Sequence, residues 1–319
     1  MPVEVRGPST PKARNARQLG RFRDEVARRK FLTAYNNALA AWPTPPSQLD
    51  VETRYGTTHV LATGPESGTP IVLLHATAVS SPSWFASVAA LSKDRPVYAI
   101  DTIGDAGRST QTSRIRDGVD ASLWLADVLA ALDLDRAHLV GLSYGGWLAL
   151  NQAWRSPDRL ASITSVDPPG ALGRPSGTFL VKILPDSLLA KFAKSEKALH
   201  RLLRLLNNGT LPAQPLLGLS VAGLRTFRAR QPYPKRLTDD VLRMIDTPTL
   251  LLFCERSPVN HAQRARERSR RLIANAETED IPDAGHMLPV EMPELFTTRV
   301  LRFIHDIDTR HHANPPSDE

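Results

Sequence analysis

Residues 137–154 read AHLVGLSYGGWLALNQAW and join an apolar run to a glycine-rich turn and a helical pattern. The run Ala137–Leu142 predicts a strand buried on both faces, because it is apolar without alternation. Tyr144–Trp154 predicts a helix that begins directly after the turn. Ser143 stands between them in a G-x-S-x-G sequence, whose small residues allow a very sharp turn. The stretch predicts a strand–turn–helix unit with a serine at its tip; the alternative is a glycine-rich turn with an idle serine.

Apolar runs of similar length recur before and after this unit, separated by segments of helical periodicity. They predict six further strands, at Thr57–Thr63, Ile71–His75, Val97–Asp101, Leu160–Val166, Thr249–Phe253 and Glu277–Ile281. Further helices are predicted at residues 21–41, 84–91, 119–132, 262–272 and 293–307. Strands that alternate with helices favour a mostly parallel sheet covered on both faces, so the predicted fold class is α/β.

Residues 171–238 break this alternation and are rich in Leu, Arg, Pro and Gly, with helical stretches such as Ser187–Leu206. We expect them to form an inserted helical cap whose inner face borders a substrate pocket. The predicted division of the chain is a basic arm and helix at 1–45, an α/β core at 46–170 and 239–310, the cap at 171–238 and a disordered tail at 311–319.

The positive charge is concentrated at the N-terminus. The formal net charge is +7, and residues 1–30 carry nine Lys/Arg against three Asp/Glu. Such an arm could hold nucleic acid or anionic lipid through phosphate contacts. No stacking aromatics or known nucleic-acid motif accompanies it, so we expect a solvated arm, with neither nucleic acid nor a membrane as a partner.

Cysteine usage and hydropathy bear on the cellular compartment. Cys254 is the only cysteine, so no intrachain disulfide can form and nothing requires an oxidising compartment. The N-terminus lacks the apolar region of a signal peptide, and no run of about eighteen apolar residues occurs. The expected location is the cytoplasm. The oligomeric state stays open, and a homodimer is compatible with the sequence.

A candidate base for Ser143 is His286, in the sequence DAGH between the last predicted strand and the last predicted helix. The base comes last in chain order in sites of the Ser…acid…His type. A histidine in a loop is usually a surface residue, but this position favours a catalytic role. Seven other histidines have no such placement and are interpreted as structural: His59, His138, His200, His261, His305, His311 and His312.

Acyl-transfer chemistry also needs two N–H donors for the oxyanion of the tetrahedral intermediate. The first candidate is the N–H of Tyr144, directly after the serine. The second is the N–H of Thr77, in the loop that follows the Ile71–His75 strand. The sequence contains no zinc-binding pattern, P-loop or dinucleotide fingerprint, so we expect neither a metal nor a cofactor.

In these residues the sequence resembles bacterial carboxylesterases of the α/β-hydrolase superfamily, specifically the group that includes the naproxen-type esterases of Bacillus. The similarity extends from about Ala34 to Ile304 and includes PIVLLHATAVSSPSW, VYAIDTIGDAGRS, HLVGLSYGG and DAGHMLPVEMPE. The resemblance implies an α/β-hydrolase fold with an eight-stranded, mostly parallel sheet and a helical cap. It also implies a serine esterase with nucleophile Ser143, base His286 and oxyanion donors Thr77 and Tyr144.

The resemblance also assigns the segment IGDAGRS to a loop shaped by its polar residues, here Asp105 and Ser109 together with Asp101 before it. One departure lies in the oxyanion loop, where the group usually has glycine after the histidine. This chain has Ala76, whose added Cβ could narrow the hole.

The second departure concerns the acid, which in this group normally follows the strand that here reads LLLFCERSPV. Glu255 matches the glutamate of that pattern, but Ser257 stands where the acid is expected. The acid orients the histidine tautomer and offsets its charge, which a serine hydroxyl does not do.

Three possibilities remain for the acid. It is Asp167, at the end of Leu160–Val166, the strand end where some related hydrolases such as a class of haloalkane dehalogenases carry theirs; it is Glu255, bent back to His286; or it is absent. We favour Asp167, whose structural alternative is a turn residue that bonds its own backbone before Pro168.

The predicted function is hydrolysis of a carboxylic ester through an acyl-enzyme on Ser143, with a small-molecule ester or thioester as the partner. One alternative is a thioesterase, cyclase or lyase acting on a natural-product intermediate, which Ala76 and the altered acid position keep open. The other is a ligand-binding homologue without catalysis, against which the intact pair of Ser143 and His286 argues.

Overall fold

The computed structural model describes residues 18–173, 176–192 and 195–313. Residues 1–17 of the predicted basic arm and residues 314–319 of the predicted tail lie outside the described residues. Within the described part of the chain, every helix is too short or too polar to cross a bilayer.

Strands and helices alternate along the described residues. The strands are β1 (Arg21–Phe22), β2 (Ser47–Thr53), β3 (Gly56–Thr63), β4 (Ile71–Leu74), β5 (Val97–Ile100), β6 (Thr110–Gln111), β7 (Ala137–Leu142), β8 (Leu160–Val166), β9 (Phe227–Arg228), β10 (Thr249–Cys254) and β11 (Ala276–Ile281). The helices are α1 (Glu25–Leu39), α2 (Val88–Leu91), α3 (Gly118–Ala131), α4 (Tyr144–Arg155), α5 (Leu184–Phe192), α6 (Glu196–Leu206), α7 (Leu216–Thr226), α8 (Asp239–Arg243), α9 (Ala262–Leu272), α10 (Leu288–Glu291) and α11 (Pro293–Ala313). A 3₁₀ turn (Ser81–Ala86) and a π turn (Phe179–Ile183) complete the set.

Eight strands lie side by side in the order β11-β10-β8-β7-β4-β5-β3-β2, and the two-residue strand β6 pairs with β3. Neighbours from β11 to β5 are parallel. β3 runs antiparallel to both β5 and β2. The predicted α/β class with a mostly parallel sheet is confirmed, and β6 adds a short ninth strand to the eight expected.

The apolar strands are buried because helices cover both faces of the sheet. In β4, Ile71 and Leu73 pack into one core layer with α1, α10 and α11, whereas Val72 and Leu74 pack into the other with α3, α4 and α9. All four side chains are fully buried. Strands enclosed in this way need apolar residues on both faces, which is the pattern that predicted them.

Strand β2 was not predicted. Its sequence SQLDVET is polar, and most of its residues are exposed because it forms the edge of the sheet. An edge strand buries little surface, so its sequence carries no continuous apolar run.

Several helix boundaries also differ from the predictions. The helix predicted at residues 21–41 is shorter, because 21–22 form β1 and the Asp24 side chain caps α1 by accepting from the Ala27 N–H. The stretch Ser187–Leu206 belongs to two helices, α5 and α6, and Ser195 caps the second. The predicted tail is helical in its first three residues, since α11 continues to Ala313.

Residues 171–238, called the helical segment below, lie between β8 and β10 and contain α5, α6 and α7. Helix α1 packs against α7. Strand β1 pairs antiparallel with β9, and the Phe22 and Phe227 rings meet edge to face at 5.0 Å. Strand β1 and helix α1 therefore contact the helical segment, and α1 also packs on the sheet.

Candidate active site

The turn between β7 and α4 holds Ser143 at a backbone φ of 56° and ψ of −115°. A Cβ on Gly141 would meet the Gly145 carbonyl oxygen at 2.1 Å, and a Cβ on Gly145 would meet the Leu74 carbonyl oxygen at 2.0 Å. Both glycines are therefore required by close approach of the backbone. The serine stands at the N-terminus of α4, where free N–H groups favour negative charge.

His286 follows β11 in the loop before α10. Its Nε2 lies 2.8 Å from Ser143 Oγ, and its Nδ1 lies 2.6 Å from Asp167 Oδ2. Because an ionised carboxylate only accepts hydrogen bonds, Nδ1 carries the ring proton and Nε2 accepts from the serine hydroxyl. Ser143, His286 and Asp167 are 8%, 5% and 1% exposed. The structure thus brings the predicted nucleophile, base and favoured acid into one buried chain of hydrogen bonds.

Asp167 directly follows β8 and has a φ of 43°. Its own N–H donates to the Leu252 carbonyl of β10 at 2.9 Å, which fixes the residue to the sheet. Its Oδ1 accepts from Asn260 Nδ2 at 2.9 Å, and its Oδ2 accepts from Ser257 Oγ. The carboxylate therefore bonds side chains of the loop after β10 and the His286 ring, rather than its own backbone.

Ser257 and Glu255 lie in the segment where the resemblance places the acid. Ser257 lies beside the pair, with its Oγ 3.4 Å from His286 Nδ1. Glu255 is exposed, and its N–H donates to the Ile281 carbonyl at 3.2 Å. Among the described residues, the His286 ring nitrogens contact Ser143, Asp167 and Ser257, so the structure does not bring Glu255 to the ring.

Thr77 and Tyr144 both line the cavity beside Ser143. Their backbone N–H groups donate to no acceptor within the described part of the chain. The next N–H in the loop, that of Ala78, is occupied, because it donates to Asp105 Oδ2 at 2.8 Å. Both N–H groups are therefore unpaired among the described residues, and they belong to residues that border the same cavity as Ser143.

The shape of this loop depends on buried polar groups. Asp105 also accepts from the Ala106 N–H at 2.7 Å, and burial raises the pKa of its carboxyl. The His75 ring donates from Nδ1 to the Ala76 carbonyl at 2.7 Å and accepts from the Thr102 N–H at 2.9 Å. Ala76, which stands where the resemblance expects glycine, packs into the core layer of Ile71 and Leu73 and also lines the cavity beside Ser143.

Glu291 holds the loop that carries His286. Its carboxylate accepts from the Gly285 N–H at 2.9 Å and from the Met287 N–H at 3.0 Å, on either side of the histidine. Burial raises the pKa of Glu291, and these two hydrogen bonds act in the opposite direction. The His286 N–H donates to the Leu206 carbonyl at the end of α6, so the loop is held from two sides.

Neither Glu291 nor Asn260 was predicted from the sequence. Both act through loop conformations that bring distant parts of the chain together, and apolar periodicity carries no information about such loops. The only local signal is that Glu291 follows the histidine by five residues.

The Ser143 and His286 side chains open into a cavity of about 490 Å³ between the sheet and the helical segment, while Asp167 lies behind His286. Most of its wall is apolar, with Phe179, Ile183, Leu202, Leu216 and Leu224 from the helical segment. None of the described residues that line it is Asp, Glu, Lys or Arg. The cavity therefore suits an uncharged, largely apolar ligand.

Comparisons with known proteins agree with this geometry. Residues 71–299 match the alpha/beta hydrolase family. Carboxylesterase YbfK of Bacillus subtilis is 32% identical over 286 residues, which cover 86% of this chain and 93% of that protein. The crystal structure of carboxylesterase CesB (YbfK) matches with a TM-score of 0.81 and 30% identity, over 88% of this chain and 99% of that chain.

The crystal structure of naproxen esterase (carboxylesterase NP) from Bacillus subtilis matches with a TM-score of 0.80 and 28% identity, over 87% of this chain and 98% of that chain. The resemblance derived from the sequence is thereby confirmed. The chain belongs to the alpha/beta hydrolase family, in the group of these Bacillus carboxylesterases.

Proposed function

We propose that this protein is a carboxylesterase that hydrolyses small-molecule esters through an acyl-enzyme on Ser143. The observation that carries the proposal is the His286 ring, which lies 2.8 Å from Ser143 Oγ and 2.6 Å from Asp167 Oδ2. A serine hydroxyl is a weak nucleophile until a base, itself oriented by a third group, takes its proton. Two Bacillus subtilis relatives bear the name carboxylesterase, which supports an ester as the substrate.

In the proposed mechanism, His286 Nε2 takes the Ser143 proton while Oγ attacks the ester carbonyl carbon. The tetrahedral intermediate collapses, and the alcohol leaves with the proton from His286. A water molecule then gives a proton to His286 and attacks the acyl carbon. The second tetrahedral intermediate collapses as the bond from the acyl carbon to Ser143 Oγ breaks, His286 returns the proton to Oγ, and the carboxylic acid is released. Asp167 keeps the proton of the neutral ring on Nδ1 and offsets the charge of the imidazolium.

The oxyanion is stabilised by the N–H groups of Thr77 and Tyr144. Each such donor contributes about 3 kcal/mol to lowering the barrier, because it points in advance at the site where charge develops. The N-terminus of α4 adds its dipole at the same point.

The helical segment acts as a cap in this proposal, and its apolar inner wall selects the substrate. Each methylene that the cavity buries contributes about 0.8 kcal/mol, or about fourfold in kcat/KM, until the space is filled. We therefore expect esters with an uncharged apolar acyl group of several carbons to react faster than acetates. An ester whose acyl chain ends in a free carboxylate should react poorly, because no Lys or Arg is among the described residues of the wall.

The proposal is tested with a fluorophosphonate probe, peptide mapping and p-nitrophenyl esters of increasing acyl length. The wild-type protein should be labelled on Ser143 and should turn over the esters, while Ser143→Ala should do neither. Ser269→Ala is the matched control, because Ser269 is also buried but its hydroxyl donates to the Ala265 carbonyl inside its own helix. Ester turnover that persists in Ser143→Ala, or a folded wild-type protein that takes up no label, would contradict the esterase assignment.

A further inference from the structure

The Asp167 carboxylate receives hydrogen bonds from three side chains. Oδ1 accepts from Asn260 Nδ2, and Oδ2 accepts from both His286 Nδ1 and Ser257 Oγ. The carboxylate is almost completely buried. A buried carboxylate is costly unless donors satisfy it, so the two donors other than His286 affect both its charge and its direction.

The Ser257 hydroxyl is held in one orientation. Its Oγ accepts from the Val259 N–H at 3.3 Å, while the Ser257 N–H donates to the Cys254 carbonyl at 3.1 Å. The His286 Nδ1 beside it carries a proton and cannot accept. The hydroxyl proton is therefore left to Asp167 Oδ2, the acceptor within reach.

The Asn260 side chain is fixed in the same way. Its Oδ1 accepts from the Gly170 N–H at 3.2 Å, which assigns the oxygen end of the amide. The Nδ2 end then donates to the Pro168 carbonyl at 3.0 Å and to Asp167 Oδ1 at 2.9 Å. The loop after β10 thus clamps both the carboxylate and the turn that carries it.

We infer that Ser257 and Asn260 are positioning residues, which hold the Asp167 carboxylate so that Oδ2 faces Nδ1 of His286. The inference rests on the proposed function, because Asp167 needs a fixed direction only if it orients a catalytic histidine. It gives Ser257 a role at the position where the sequence lacks the expected acid. The loop after β10 supplies a donor to an acid from β8 instead of supplying the acid itself.

A consequence is that positions 167 and 257 are interchangeable as the source of the carboxylate. Ser257 Oγ lies 3.4 Å from His286 Nδ1, and an aspartate side chain is one bond longer than a serine side chain. In the variant Asp167→Asn/Ser257→Asp, a carboxylate at 257 reaches Nδ1 while the asparagine amide at 167 can donate to it.

The experiment compares Ser257→Ala, Ser257→Thr, Asp167→Asn and Asp167→Asn/Ser257→Asp on p-nitrophenyl butyrate, with Ser269→Ala as the control for loss of a buried hydroxyl. Ser257→Ala should lower kcat about tenfold with little change in KM. Its acidic limb in the pH–rate profile should move to higher pH, because a carboxylate with one donor fewer attracts the His286 proton more strongly. Ser257→Thr keeps the hydroxyl and should restore both readouts, and Ser269→Ala should match the wild type.

The double variant Asp167→Asn/Ser257→Asp tests the inference independently, even if Ser257→Ala does not fold. Asp167→Asn should lower kcat by three orders of magnitude or more, and adding Ser257→Asp should recover at least tenfold of that loss. A wild-type rate and pH profile in Ser257→Ala, or a double variant no faster than Asp167→Asn, would overturn the inference and leave the esterase proposal intact. An unchanged rate in Asp167→Asn would overturn both the positioning inference and the proposed role of Asp167.

Discussion

Ser143 and Asp167 both carry their side chains on left-handed backbone, with φ values of 56° and 43°, at the ends of the neighbouring strands β7 and β8. Non-glycine residues in such conformations cost of the order of 1–3 kcal/mol each and persist where the surroundings over-determine them. Here the Ser143 N–H donates to the Val166 carbonyl and the Asp167 N–H to the Leu252 carbonyl. The sheet therefore holds both residues in place at some cost in stability.

A first prediction concerns the oxyanion loop. Asp105→Ala removes the acceptor of the Ala78 N–H and leaves a buried donor unsatisfied, at a cost of about 1–3 kcal/mol. The loop is then no longer fixed at Ala78, so the adjacent Thr77 N–H can change its direction. We expect kcat for p-nitrophenyl butyrate to fall by about tenfold to a hundredfold, because one oxyanion donor is misplaced. Asp105→Asn keeps an acceptor oxygen, so its kcat should lie between those of Asp105→Ala and the wild type. A folded Asp105→Ala protein with a kcat within twofold of the wild type would contradict the role of Asp105.

Among single residues, the sequence predicts those whose role follows from the strand or helix next to them in the chain. Ser143 has a strand before it and a helix after it, and His286 follows the last strand, so chain order alone makes both candidates. Asp167 stayed one of three possibilities, because several strand ends meet at this edge and their distance from the histidine is not encoded locally. Ser257 contacts Asp167, 90 positions away in the sequence, and His286, 29 positions away. No sequence pattern predicts these two contacts.

The secondary-structure elements were predicted best where burial is most complete. The runs IVLL, VYAI and AHLVGL, which form β4, β5 and β7, lie in the sheet interior and are apolar on both faces. Strand β2 is polar and exposed and was missed for the same physical reason. The helical segment was predicted to be helical, but its division into α5 and α6 depends on how each helix packs.

At the level of the strand–turn–helix unit, Gly145→Ala should prevent the native turn. The added methyl would stand 2.0 Å from the Leu74 carbonyl oxygen, so β4 or α4 would have to shift. We expect little soluble protein, or a melting temperature lower by about 2–12 °C, since such overpacking typically costs about 1–3 kcal/mol. Gly177→Ala is the control, because a methyl there meets no atom within 4 Å; equal melting temperatures for the two variants would contradict the steric argument.

Helix α3 provides a prediction about pH. The Arg116 guanidinium, which donates to both oxygens of Asp120, holds the pKa of that carboxyl at about 2, and the Arg116 N–H and the Tyr55 hydroxyl also donate to it. A lowered pKa means that the folded state favours the ionised carboxylate. Its contribution is therefore complete above about pH 4, the range of an ordinary aspartate, and is lost as the pH falls towards about 2.

Asp120→Asn removes this contribution. At pH 7 the variant should be less stable by about 1–2 kcal/mol, a figure that allows for the solvent exposure of Arg116. Urea unfolding at pH 7, 5, 4 and 3 should show the difference between the two proteins shrinking as the pH falls below 4. A difference that stays constant down to pH 3 would mean that the ion pair does not stabilise the fold.

Over the whole molecule, the parallel strands deliver their loops to one edge of the sheet, and the helical segment lies above that edge. Ser143 comes from the end of β7, Asp167 from the end of β8 and His286 from the loop after β11. The cavity lies between this edge and the apolar inner side of the helical segment. Much of the apolar wall thus comes from a different part of the chain than Ser143, Asp167 and His286, and the hydrogen bond from the His286 N–H to the Leu206 carbonyl joins the two parts.

The wall should control which acyl chains react. Leu224 lines the cavity, and Leu224→Trp would fill part of it. We expect kcat/KM for p-nitrophenyl octanoate to fall at least tenfold, while that for the acetate changes less than threefold. Leu189→Trp places the same residue on the exposed side of α5 and should leave the octanoate-to-acetate ratio unchanged. Equal ratios for Leu224→Trp and the wild type would show that the substrate chain does not enter this cavity.

The most direct test of the central claim, that His286 links Ser143 to Asp167 for acyl transfer, is rapid-quench mass spectrometry of the protein mixed with excess p-nitrophenyl butyrate. We predict that the wild-type protein gains the mass of one butyryl group within the first turnover, that peptide mapping places it on Ser143, and that Ser143→Ala gains none. A butyryl group on another residue, or turnover by the wild type with no covalent adduct and undiminished turnover by Ser143→Ala, would contradict it.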